Sequence, residues 1–117
     1  MFRKIVEVSS QIPKRDKSTV LAKLTEEIGE IAVEIEIERG NIPASKGGND
    51  GVFGECCDLI NVAVDMAWVH CKETQDMSDE QIAELILSYC LRKREKLLES
   101  KAWMVNCQEE WEAMCNE

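Results

Sequence analysis

The residues best equipped for chemistry in this sequence are carboxylates. Glu27, Glu30, Glu34 and Glu38 recur at helical spacing, and so do Glu55, Asp58 and Asp65 further along the chain. Each set falls on one narrow stripe of its own helix. Converging oxygen donors are what a hard divalent cation requires. Other chemistries fit poorly. The sole histidine, His70, has Ala67 three residues before it, so a ferritin-like Glu-x-x-His site lacks its parts. His70 therefore reads as a surface or hydrogen-bonded side chain. No Cys–His–Asp grouping supports nucleophilic catalysis. Cys56 and Cys57 are adjacent and no CxxC pair exists, which argues against zinc and leaves them as packing residues.

The elements that must carry these acids are helices. Ser18 or Thr19 can cap a helix running to about Arg39, with Gly40 in the C′ position. On it Leu21, Leu24, Ile28, Ile31 and Ile35 cover an arc of about 80°, taken as the core face. Glu27, Glu30, Glu34 and Glu38 form a second stripe beside it, bordering the core. Five of the six glycines fall between Gly40 and Gly54 with Pro43, Asn41, Asn49 and Asp50, which marks the one clear loop. A second helix should run from about Phe53 to Lys72. Between Cys56 and Val69 only Asp58, Asn61 and Asp65 are polar, so this helix belongs inside a bundle. Ser78-Asp-Glu-Gln81 is a capping-box pattern opening a third helix to about Glu99. Its inward face reads Ile82, Leu85, Ile86 and Tyr89, continued by Lys93 and Lys96, with Arg92 at the edge. Asn106 can cap a short helix over about 106–116, and the first dozen residues add another short one.

Buried carboxylates need partners. The suitably placed cations are those of the third helix, and two or three of them cannot neutralise Glu27, Glu30, Glu55, Asp58 and Asp65 together. The simplest remaining counter-charge is Mg²⁺ held by oxygen ligands between two helices. Lysines beside such a site suggest a phosphate ligand.

Composition sets the outer limits. A chain of 117 residues is one ordinary domain, spanning 1–117 with its motif core at about 18–99. Apolar residues make up 44%, enough for a core, and two prolines favour an all-α antiparallel bundle over a β-sandwich. Fourteen basic and 23 acidic side chains give a net charge of -9, which excludes a nucleic-acid polymer as a partner held by the overall field. No stretch approaches the ~20 apolar residues of a membrane span. The first residues lack a secretory pattern, so a cytoplasmic protein with six reduced structural thiols is expected. Trp68, Trp103, Trp111, Phe53 and Tyr89 read as core or dimer contacts.

The doublet Glu26-Glu27, Gly29 inside its helix, and Glu55-x-x-Asp58-Leu-Ile opening an apolar helix jointly resemble MazG-type nucleoside triphosphate pyrophosphohydrolases. That family belongs to the all-α pyrophosphatase superfamily, with the dimeric dUTPases and the phosphoribosyl-ATP pyrophosphohydrolases. The resemblance extends from about Leu21 to Lys96. It implies a Mg²⁺-dependent enzyme (Mn²⁺ a possible substitute) that cleaves a nucleoside triphosphate between its α- and β-phosphates, giving the monophosphate and pyrophosphate. It also implies Glu27, Glu30, Glu55 and Asp58 as metal ligands, and Glu26 or Glu27 as the group that orients or deprotonates water. Asn61 would orient a phosphate or a water, and Lys93 and Lys96, with Arg92 as an alternative, would neutralise pyrophosphate.

Three alternatives stand beside this reading. They are a phosphoribosyl-ATP pyrophosphohydrolase-like enzyme, a dUTPase-like enzyme, and a non-catalytic acidic helical module that binds a nucleotide or a partner. The apolar surface of the third helix and the Trp-containing tail exceeds what a three-helix core can cover. A homodimer or a dimer of dimers is therefore expected.

Overall fold

The computed structural model describes residues 1–99 and 101–116, with side chains at 1–99 and 108–116. It is all-helical among those residues. Helix α1 spans Arg3–Gln11, α2 Lys17–Glu38, α3 Gly51–Thr74, α4 Asp79–Glu99 and α5 Lys101–Cys115, with a single 3₁₀ turn at Ala44–Lys46. No described helix is long and apolar enough to cross a membrane. The chain divides into two compact units, Met1–Ile86 and the segment from Leu87 onward.

Local chemistry sets the helix ends. The cap of α2 is Asp16 and not Ser18 or Thr19, because its carboxylate reaches the orphan Thr19 N–H at 2.8 Å. Those hydrogen bonds from Thr19 also hold the Asp16 carboxyl below its ordinary value. At the other end Gly40 takes φ +79°. The Gly40 N–H donates to Ile37 O and the Asn41 N–H to Glu36 O, which is the Schellman arrangement. The capping box at α4 forms as read: Ser78 N–H donates to Gln81 Oε1 and Gln81 N–H to Ser78 Oγ. Helix α3 begins at Gly51, two residues before Phe53. Helix α5 begins at Lys101, so Asn106 lies within it and does not cap it.

In the first unit α1 and α2 both pack on α3. The core joins Val6 of α1, Val64 and Cys71 of α3, and Ile82 and Ala83 of α4, with Phe2, Ile5, Trp68, Met77, Leu85 and Ile86 packed around them. Helix α2 contributes a different face from the one its apolar stripe suggests. Leu21 and Ile28 are 57% and 58% exposed, whereas Glu27 and Glu34 are 4% and 6% exposed. The buried row is Val20, Glu27 and Glu34, spaced by seven residues, so two of the acids lie inside and two of the five residues of the apolar stripe lie outside. Helix α3 is also less enclosed than expected, with Ile60, Asp58 and Asn61 exposed.

Other expectations are corrected in the same way. The inward face of α4 continues only to Ile86, and Tyr89 is exposed. Phe53 is 81% exposed and Trp111 is exposed, so neither is core, while Trp68 is half-buried against it. Trp103 lies outside the described side chains. Of the described cysteines only Cys71 is buried, and Cys57, Cys90 and Cys115 are exposed free thiols.

Candidate metal centre

The first unit brings together the four acids of the two motifs. Glu27, Glu55 and Asp58 each offer a carboxylate oxygen, all within 4.8 Å of one another. Two oxygens across a hard cation lie up to about 4.2 Å apart for Mg²⁺ and about 5 Å apart for Ca²⁺. The three donors are therefore nearly at ligating separation already. Glu30 completes the group from one turn after Glu27. Its carboxyl is pushed up from 4.5 to about 7, first by the hydrogen bond it shares with Glu55, then by desolvation and the charge of Glu27. A proton held on Glu30 would relieve part of the repulsion among the acids.

Cation side chains supply little of the remaining relief. Lys23, one turn before Glu27, approaches it at 3.3 Å and also Glu26 at 3.4 Å, and these acids raise the lysine's pKa. Lys23 is half-exposed, and one ammonium faces four acids. Two buried oxygens, Glu27 Oε2 and Glu55 Oε2, have no hydrogen-bond partner. An unmatched buried carboxylate oxygen costs several kcal/mol unless something meets it. Carboxylate donors with unmet oxygens fit a hard divalent cation and fit neither thiophilic nor imidazole-seeking metals.

The remaining candidates are distributed more widely. Glu26 is exposed and turns to a groove of about 770 Å³ between α1, α2 and α3, which Asn61 also lines. Its walls are largely apolar, with Ile5, Val8, Ile12, Val20 and Val62. Lys23 lines the groove as well, so the groove adjoins the acids through a shared side chain. Arg92, Lys93 and Lys96 are exposed and belong to the second unit, where Arg92 lies over the Tyr89 ring at 4.3 Å.

One partner escaped the sequence reading. Asp65 pairs with Arg15, from the segment joining α1 to α2, and not with a cation of α4. Arg15 Nε donates to Asp65 Oδ2 at 2.8 Å and Nη2 donates to Asp65 Oδ1. The same guanidinium donates to Ser9 O at 3.1 Å and lies 5.1 Å from the centre of the Trp68 ring. Both side chains are nearly buried. Lys23 was overlooked too, although its i,i+4 spacing to Glu27 is a readable signal. Arg15 carries no such signal, because 50 residues separate it from Asp65.

No protein-family model, curated protein or solved structure matches this chain.

Proposed function

We propose that this chain is a Mg²⁺-dependent nucleoside triphosphate pyrophosphohydrolase of the MazG type, acting on the cytoplasmic nucleotide pool and releasing a monophosphate and pyrophosphate. One observation carries the reading: Glu27, Glu55 and Asp58 converge within 4.8 Å while Glu27 Oε2 and Glu55 Oε2 stay buried and unpartnered. With Glu30 they form an all-oxygen donor set to which the described residues offer only Lys23 as a counter-charge. When bound, Mg²⁺ supplies charge neutralisation for phosphate oxygens.

The chain's own residues do the rest. Glu27, Glu30, Glu55 and Asp58 hold the ion. Glu26, exposed beside the groove, is the group that orients water and takes its proton, and Glu27 is the other candidate. The apolar groove receives the base and sugar, with the Asn61 amide at its wall as a polar contact. A phosphate-binding role for Lys93, Lys96 or Arg92 rests on the family resemblance alone, since all three belong to the second unit.

A homodimer or a dimer of dimers belongs to the same reading. Leu21 and Ile28 on α2, and Phe53 and Ile60 on α3, are exposed apolar side chains that a second copy would cover. Light scattering of the active protein should give a dimer or tetramer, and a fully active monomer would contradict this.

The activity is tested by incubating the full chain with a panel of nucleoside triphosphates that includes dUTP, together with phosphoribosyl-ATP, with and without Mg²⁺. The expected products are monophosphate and pyrophosphate, formed only with the metal and lost in Glu55→Gln. Saturable Mg²⁺ and nucleotide binding without turnover of any substrate would make the protein a nucleotide-binding module instead.

A further inference from the structure

Glu34 is as buried as Glu27, lies two helical turns beyond it on the same face of α2, and is no part of the converging set. A buried carboxylate must find a partner, and this one finds backbone. Its Oε1 accepts the Gly48 N–H at 2.6 Å, and among the described residues no cation pairs with it. The loop is built to permit that approach. A Cβ on Gly47 would lie 2.6 Å from Glu34 Oε1 and 2.6 Å from Ile37 Cδ1, so a side chain there would displace both. A Cβ on Gly48 would lie 3.2 Å from Glu55 Oε1 and 3.9 Å from Glu34 Oε1. The Gly47-Gly48 backbone therefore passes against two carboxylates at once, one that anchors the loop and one that belongs to the metal centre.

We propose that Glu34 is a positioning residue: its carboxylate fastens the Gly47-Gly48 strap, and the strap walls one side of Glu55 so that this carboxylate faces Glu27 and Asp58. The inference rests on the metal reading of the acid cluster for its consequence. The strap geometry itself does not depend on that reading. Groups that orient a ligand without touching the metal usually change its affinity by about 10-fold to 100-fold when removed. Glu34 acts here through Gly48 and steric contact with Glu55.

The test uses the full chain and Mn²⁺ as the probe, titrated by electron paramagnetic resonance, beside amide exchange at Gly48 and the side-chain carboxyl ¹³C resonance of Glu55. Glu34→Ala should weaken Mn²⁺ binding about 10-fold, expose the Gly48 amide and shift the Glu55 resonance. Glu34→Gln retains an oxygen for the Gly48 N–H and should stay within about twofold of wild type, a small part of the loss expected on removing such a group. Gly48→Ala leaves Glu34 in place but crowds Glu55, and should weaken Mn²⁺ binding in the same direction. It also decides the question if Glu34→Ala fails to fold. A merely structural Glu34 would lower the melting temperature in both Glu34 variants and leave Mn²⁺ affinity and the Glu55 resonance unchanged, which would overturn the proposal. If the wild-type protein binds no Mn²⁺, the metal reading fails. The Gly48 amide and Glu55 resonance then decide the positioning role by themselves.

Discussion

Asp58 and Asp65 sit two turns apart on α3, and the fold treats their surroundings in opposite ways. Around Asp65 the chain supplies everything. Arg15 meets the carboxylate with two donors, donates again to Ser9 O, and stacks near the Trp68 ring. That pair is nearly buried, closed and complete, as a static ion pair must be to survive desolvation. Around Asp58 four acids gather with one half-exposed lysine, and two buried oxygens go unmet. Among the described residues nothing comparable to Arg15 meets the second cluster. On the proposed function, the contrast separates a charge that serves structure from charges that await a ligand.

Breaking the closed pair should cost most. Arg15→Ala leaves Asp65 buried without its partner and should destabilise the protein by about 3–5 kcal/mol. Urea unfolding should give the same loss with EDTA and with Mg²⁺, since no metal is involved. A much smaller loss would mean that Asp65 finds water or another donor.

The open cluster should respond in the reverse sense. Asp58→Asn removes one of the repelling charges, so the metal-free variant should be as stable as wild type or more so. It should also lose most of the metal-dependent stabilisation, which for wild type at 100 times its Kd is about 2.7 kcal/mol. Melting curves with EDTA and with millimolar Mg²⁺ read both effects. Equal destabilisation of Asp58→Asn with and without metal would place Asp58 beside Asp65 as a structural charge and erase the comparison.

The smallest effect is in the pH profile. Glu30 is raised from 4.5 to about 7, so the folded state keeps a proton that the unfolded state gives up between those values. Stability from this group is fully present below 4.5 and is lost as the pH rises through about 7. Without metal, wild type should lose stability from about pH 5 to pH 8, and Glu30→Gln should lose less. Mg²⁺ competes with that proton, so it should flatten or reverse the wild-type slope. Urea unfolding at the two pH values checks this, and identical slopes in both proteins would remove Glu30 from the shared hydrogen bond.

What could be read from the sequence follows from how local each feature is. The capping box at Ser78 and the Gly40 helix end depend on residues within one turn or so, and both form as read. The all-α class follows from helical periodicity and scarce breakers. The exposed side of α2 could not be read this way. Leu21 and Ile28 rank as core by polarity, yet Val20, Glu27 and Glu34 are buried instead, an inversion that depends on the acids' partners in space. Arg15 was unreadable for the same reason, since its pairing joins a short connecting segment to the middle of α3. Glu34 stood in the acidic stripe from the start, but its tie to Gly48 depends on how the loop folds back. Cys57 and Phe53 show the limit of composition, because residue types that are usually buried lie exposed on this protein.

The central claim, that the acids between α2 and α3 are kept for a divalent cation, is tested most directly by calorimetric titration of Mg²⁺ into the metal-free protein. The titration is run with and without a non-hydrolysable nucleoside triphosphate analogue. The account predicts saturable Mg²⁺ binding that tightens with the analogue and disappears in Glu55→Gln, while Arg15→Lys, at the closed pair, retains it. No saturable binding in wild type, or equal binding in Glu55→Gln, would contradict it.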